Sequence, residues 1–313
     1  MNKQDFSARH PARNLLAVLF ALLFVCLWAG KAVAGPIRIG GKNFTEQLIL
    51  SSITSQYLRA KGYGTELTGG LGSTLMRTAH ETGELDVVWE YTGTSLIVYN
   101  RILEKLDGEQ TYQRVRELDA AKGLIWLDRS RINNTYALAM PRHRAEAEGL
   151  HTLSQLAQRM QADVSRGEDD DGKHTFAIDM EFAARPDGLE PLKKMYGFSW
   201  KRRQVIQLDP GLVYTALRND QVETGLVYAT DGRIKGFDLV LLEDDKGFFP
   251  AYHAAPVARK AVLDANPALA GQLNALAAVL DNESMTEMNY QVDIKQQPVD
   301  RVAAAFLREH GLL

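Results

Sequence analysis

Cysteine is almost missing from this 313-residue chain: Cys26 is the only one. A disulfide framework and a cysteine-based zinc site are therefore excluded. Beyond residue 34 the histidines stand at 80, 143, 151, 174, 253 and 310, in neither HExxH nor HxH spacing. GxSxG elbows and Walker loops are absent too. The net charge of −3 offers no basic surface for nucleic acid. The apolar run at residues 15–27 is shorter than the roughly 20 residues that span a bilayer. What is present is a globular composition, 45% hydrophobic and 24% charged. It is too hydrophobic for a disordered chain and too polar for a multi-span membrane protein. The length suits about two domains, or one domain with two lobes.

Residues 1–34 have the layout of a secretory signal peptide. Lys3, Arg9 and Arg13 precede the apolar run LLAVLFALLFVCL, and Ala32-Val33-Ala34 fits small-x-small cleavage. Val25 is larger than the small residue expected before a lipidated cysteine, so Cys26 reads as part of the signal and is lost with it. Cleavage after Ala34 leaves a cysteine-free, more acidic chain, which suits a bacterial periplasm.

Beyond the signal, strand and helix patterns alternate. Ile37 and Ile39 open a first strand. Asn43-Phe44-Thr45-Glu46 has the form of a capping box, and Leu50, Ile53 and Tyr57 give its helix an apolar stripe. Residues 65–67 read as a strand, Ser73 as the cap of a helix to about His80, and Leu85 to Trp89 as a buried strand. Further strands are expected at 124–127, 135–140, 175–179, 204–208, 224–228, 238–242 and 252–257. Helices are expected near 95–105, 110–122, 152–161, 189–196, 210–219, 259–264, 267–281, 284–290 and 298–310. Asn266-Pro267 looks like an N-cap with Pro at N1, and Gly311 like a terminal stop. The alternation predicts an α/β architecture with mostly parallel sheets. Glu168 to Asp171 reads as a solvated loop.

The chemistry-bearing residues are few. Gly69-Gly70-Leu71-Gly72-Ser73 is a Gly-rich run before a helix. It reads as a tight turn, or as a cradle for an anion on backbone N–H groups. Tyr91 and Tyr228 fall at carboxyl ends of expected strands, where open α/β sheets place ligands. Tyr136 and Tyr252 open strands, so that rule does not reach them.

Six segments together resemble one family: GKNFTEQLIL (41–50), GELDVVWEYTGT (83–94), FAARPDGL (182–189), MYGF (195–198), YATDGR (228–233) and EDDKGFFPAY (243–252). They look like the substrate-binding proteins of osmoprotectant ABC transporters, whose ligands are glycine betaine, choline and related quaternary amines. The similarity runs from about Ile37 to Leu313. It implies a type II periplasmic binding protein: two α/β lobes, two crossover segments and a ligand in the cleft. Lobe one would be 36–133 plus 249–313, lobe two 134–248, with hinges at 130–135 and 245–251.

Carried over by motif, a cage for the trimethylammonium head would comprise Tyr91, Tyr136, Tyr228 and Tyr252. Lys42, Thr94 and Arg185 would hold a carboxylate at the far end. Arg185 also has Asp187 close by as an ion-pair partner, and Lys42 could be a solvated loop lysine. Where some relatives carry an acidic residue two positions before the second cage tyrosine, this chain has Asn134. Physical chemistry supports a cage, because a quaternary ammonium has no N–H to donate and is attracted to aromatic faces. The resemblance implies a monomeric periplasmic receptor that delivers its quaternary amine to an inner-membrane permease, with no cofactor, metal, nucleic acid or catalytic role. The competing readings are a receptor for another small zwitterion, such as an amino acid, and an exported enzyme on the same fold.

Overall fold

The computed structural model describes residues 35–168 and 172–313. The signal-peptide reading, Cys26 and most of the acidic loop lie outside the described residues. From Pro36 to Leu313 the chain forms one compact unit built on two five-stranded sheets. In the first sheet the order is β2 (Thr65–Leu71), β1 (Ile37–Lys42), β3 (Val87–Tyr91), β10 (Ala254–Arg259), β4 (Leu124–Trp126). In the second it is β7 (Val205–Gln207), β6 (Phe176–Ile178), β8 (Thr224–Tyr228), β5 (Tyr136–Pro141), β9 (Leu239–Leu242). The chain crosses from one sheet to the other between β4 and β5, and returns between β9 and β10. The two crossing segments run side by side: the Asn134 amide donates to the Tyr252 carbonyl at 3.1 Å, and the Tyr252 amide to Asn133 Oδ1 at 2.7 Å.

The expectation of mostly parallel sheets needs correction. β1 pairs parallel with β2 and β3, and β6 with β7 and β8. β10 runs antiparallel to β3 and β4, and β5 antiparallel to β8 and β9. The reason is topological. Parallel strands deliver the chain to the edge facing the other sheet, so a strand arriving from there enters at that edge and must run against its neighbours.

The first helix, α1 (Thr45–Ala60), buries the expected Leu50, Ile53 and Tyr57 together with Ile49 and Leu58. It is covered on nearly every side, by the first sheet and by the last two helices, α7 (Asn282–Asp293) and α8 (Val299–Glu309). Its buried polar residues therefore need partners. Ser52 Oγ donates to Asp300 at 2.7 Å, and Thr54 Oγ1 accepts from Trp89 Nε1 at 2.8 Å. Trp89 and Val87 of β3 are fully buried against this helix.

Other local expectations also shift. Helix α1 begins after Phe44, and no side chain caps it. Strand β2 runs on through Gly69 and Gly70 to Leu71, so Gly72 rather than Ser73 is the cap of α2 (Ser73–Thr82). The helix expected near 95–105 is instead a turn at Thr92–Thr94 running into a π-helical turn at Ser95–Tyr99. Asn266 closes the preceding helix by donating to Val262 O at 2.9 Å, and the next helix starts at Leu269. Three short helices, Arg142–Glu148, α5 (Met180–Ala184) and Arg233–Gly236, had no periodic signal. Gly311 does stop α8, at φ +65° with the Leu312 amide returning to Leu307 O. Among the described residues no helix is long and apolar enough to cross a membrane.

Candidate ligand cleft

A cleft of about 230 Å³ opens between the two sheets. Tyr91, Tyr136, Tyr228 and Tyr252 all line it. The antiparallel entry of β5 and β10 brings them together. In register, Tyr136 faces Tyr228, and Tyr91 faces Ala254, two residues after Tyr252. Tyrosines that begin one strand thus meet tyrosines that end the next. Tyr136 lies 5.5 Å from Tyr228 between ring centroids, and 5.3 Å from Tyr252 in an edge-on arrangement. Burial holds all four hydroxyls well above the usual phenol pKa, so the rings stay neutral.

Phe44 is a fifth ring, at 5.0 Å from Tyr228 and 6.2 Å from Tyr91. It sits in the residue that precedes α1, so the first helix aims it into the cleft wall.

Lys42 lines the cleft, but it is not a free charge. Its Nζ donates to Glu90 Oε1 at 2.6 Å, with both side chains about 4% exposed. Thr94 lines the cleft from the turn after β3 and is 4% exposed. Its hydroxyl has no hydrogen-bond partner among the described residues. Arg185 departs from expectation: it is not part of the cleft lining. Its guanidinium makes two bonds to Asp187, at 2.8 and 2.7 Å, and Nη2 donates to Tyr252 Oη at 2.8 Å. The cause is the tight loop after α5. Arg185 leaves the helix extended, and a Cβ on Gly188 would stand 1.9 Å from the Phe182 carbonyl. This fold-back presents Asp187 to the arginine two residues before it. Arg185 therefore holds the Tyr252 hydroxyl, and its guanidinium lies 5.5 Å from the ring centroids of both Tyr136 and Tyr252.

Glu46 has the role furthest from its sequence reading. It does not reach back to cap α1. Its carboxylate, 2% exposed, accepts from Tyr91 Oη at 2.6 Å, Asn134 Nδ2 at 3.1 Å and Thr230 Oγ1 at 2.5 Å. Burial pushes its pKa up, and these three donors oppose that rise. One carboxylate thereby ties the first sheet, a crossing segment and the loop after β8. A signal for this existed: Glu46 lies four and seven residues before Leu50 and Ile53, at the head of the buried stripe. On the second sheet's side, Asp179 lines the cleft and caps α5 by accepting from the Phe182 amide at 2.8 Å. Burial pushes its carboxyl up to about 6.

A family model described as the substrate-binding domain of ABC-type glycine betaine transport systems matches residues 35–309. The chain belongs to this family. A Pseudomonas aeruginosa relative, named glycine-betaine-binding protein, is 54% identical over 285 residues, covering 91% of each chain. The glycine betaine-binding protein YehZ of Escherichia coli K12 is 31% identical, over 91% of this chain and 97% of the relative. A crystal structure titled as a glycine betaine/carnitine/choline ABC transporter superposes with a TM-score of 0.70 at 28% identity, covering 88% of this chain and 99% of that one. The architecture is that of a type II periplasmic binding protein, and this family member is a substrate-binding component of an ABC transporter. Its two sheets flank a ring-lined cleft, a concave surface of the kind that recognises a small ligand.

Proposed function

We propose that the protein captures glycine betaine, or a closely related quaternary amine, and delivers it to an inner-membrane permease. The observation that carries this reading is the set of four neutral tyrosines, joined by Phe44, around one cleft. At about 0.5–2 kcal/mol per desolvated ring, four rings supply roughly 2–8 kcal/mol. Micromolar affinity needs about 8 kcal/mol, so contacts at the other end of the ligand must contribute. In this reading lobe one is 36–133 plus 249–313, lobe two is 134–248, and closure turns on 130–135 and 245–251. The pairing of the two crossing segments supports such a hinge. The mature protein works as a periplasmic monomer after cleavage behind Ala34, and carries no catalytic activity.

Calorimetric titration of the mature protein with glycine betaine, choline, carnitine and proline betaine tests this directly. Saturable binding of at least one is expected. A set of amino acids is titrated beside them, and heat from one of these with none from the quaternary amines would transfer the assignment to a different zwitterion.

A further inference from the structure

Two crossing segments carry the chain between the sheets, and a third contact joins them. The loop after β8 and the short helix Arg233–Gly236 fall in lobe two of the division proposed above, whereas α7 falls in lobe one. The two pack closely. A Cβ on Gly232 would stand 2.4 Å from the Tyr290 backbone, and a Cβ on Gly236 2.4 Å from Ile294 Cδ1. Asn289 Nδ2 donates to Thr230 O at 2.9 Å, and Lys235 Nζ lies 5.9 Å from the Tyr290 ring centroid. Thr230, Gly232, Arg233, Asn289 and Asp293 are all outside the cleft lining.

One bond across this contact is unmade. Arg233 is anchored on its own side by Asp231, Nε to Oδ1 at 2.9 Å and Nη2 to Oδ2 at 2.6 Å. Nη2 carries a second N–H. Asp293 Oδ2 of α7 stands 3.6 Å from it, just beyond hydrogen-bond reach. That oxygen is buried without a hydrogen-bond partner among the described residues, and so is Asn289 Oδ1 one turn before it. Asp293 Oδ1 accepts from Thr45 at 2.8 Å, so the carboxylate is already fixed on its own side. An unpaired buried carboxylate oxygen is costly, and a shift of under about 1 Å would pair this one. The contact is also tied to both walls of the cage. Tyr228 lies two residues before Thr230, and Tyr91 shares Glu46 with Thr230. Drawing those walls together on a ligand draws Arg233 toward Asp293.

We propose that the contact between the loop after β8 and α7 is a latch between the lobes, completed by an Arg233–Asp293 bond as the cleft closes. Asp293 and Gly232 are then positioning residues that set ligand affinity from outside the cleft. This deepens the proposed function and rests on its lobe division. The latch acts on the closed form alone, so it governs how long a ligand is held rather than how fast it enters.

Two variants of the mature protein test this. Asp293→Asn keeps the acceptor for Thr45 and removes the charge that Arg233 would meet. Gly232→Ala strains no backbone, because φ −64° and ψ −21° suit any residue, so its methyl acts as a wedge against α7. Stopped-flow kinetics with glycine betaine, ligand-free melting temperatures and ligand-free small-angle X-ray scattering are compared with the parent. For Asp293→Asn the expected result is release about three- to tenfold faster, unchanged capture, and a melting temperature equal to the parent's or higher, because a buried unpaired charge is gone. Gly232→Ala should show a larger radius of gyration and weaker binding. Release from Asp293→Asn at the parent's rate overturns the latch. So does faster release with a lowered melting temperature, which would mark a purely structural role. A parent that binds no quaternary amine fails the proposed function. The scattering of ligand-free Gly232→Ala still decides whether this contact holds the lobes, and a radius equal to the parent's overturns it.

Discussion

The four tyrosines of the proposed cage each bring a ring to the cleft, but their hydroxyls do different things. Tyr91 Oη donates to Glu46 and accepts from Gln47 Nε2; Tyr252 Oη donates to Asp187 and accepts from Arg185. The hydroxyls of Tyr136 and Tyr228 have no such partners among the described residues. Replacing any one tyrosine by Ala should weaken quaternary-amine binding by about 1–2 kcal/mol, five- to thirtyfold. Tyr→Phe should separate them into pairs. Tyr136→Phe and Tyr228→Phe should bind and unfold nearly as the parent does. Tyr91→Phe and Tyr252→Phe should each lose about 1–3 kcal/mol of stability in urea titrations, because they leave a buried carboxylate or ion pair short of a partner. Equal behaviour of all four Phe variants would contradict this division.

Asp179 carries a second prediction at the same scale. Its carboxyl, buried near the Tyr136 and Tyr228 rings, titrates at about 6, and Glu181 and Arg185 are the charged groups acting on it. A raised carboxyl pKa means the folded protein takes up a proton more readily than the unfolded chain. This group's contribution to stability is therefore full below its ordinary range near 3.8 and is lost as the pH rises through about 6. A cationic ligand head favours the ionised form. Binding near pH 6 should release protons, seen as buffer-dependent heats in calorimetry, and affinity should fall as the pH drops below 6. Asp179→Asn should flatten both effects.

At the scale of elements, the consequential contact is between α1 and the loop after β8. Glu46 at the head of α1 accepts from Thr230, and the Thr230 carbonyl accepts from Asn289 Nδ2 of α7 at 2.9 Å. The loop is pressed close to that helix: a Cβ on Gly232 would come within 2.4 Å of the Tyr290 backbone. Glu46→Ala would leave the Tyr91 hydroxyl, the Asn134 amide and the Thr230 hydroxyl without their shared buried acceptor. We expect a loss of about 3 kcal/mol or more in chemical unfolding, with weaker ligand binding through a loosened Tyr91. An unfolding midpoint equal to the parent's would show that Glu46 does not join the two sheets energetically. Asn134 also makes sense here. Its amide donates to Glu46, whereas an aspartate at that position would set two carboxylates against each other.

For the whole molecule, the compact unit begins at Pro36, directly after the expected cleavage site. The described strands of both sheets, from Ile37 onward, all lie within the expected mature chain. Intact-mass spectrometry of the periplasmic fraction should find a chain starting at Gly35. Recovery of only the full-length chain from membranes would refute processing at Ala34.

Much of this protein was decided by its sequence alone. Alternating apolar residues and turn signals are local, and strands such as Thr224–Tyr228 and helices such as Pro210–Arg218 stand within a residue or two of where those patterns place them. The motif segments likewise carried the family and the four tyrosines that the cleft assembles. Three things waited for the tertiary structure. Half of the strand pairings are antiparallel, because direction depends on which edge the chain re-enters after crossing. Arg185 is bound to Asp187 and the Tyr252 hydroxyl, because a glycine-dependent fold-back captured it with Asp187. Glu46 serves the interior rather than its own helix cap, because its donors come from residues 91, 134 and 230. Local pattern reports what a residue does to its own backbone, while a buried charge is governed by whichever groups the fold brings within about 3 Å of it.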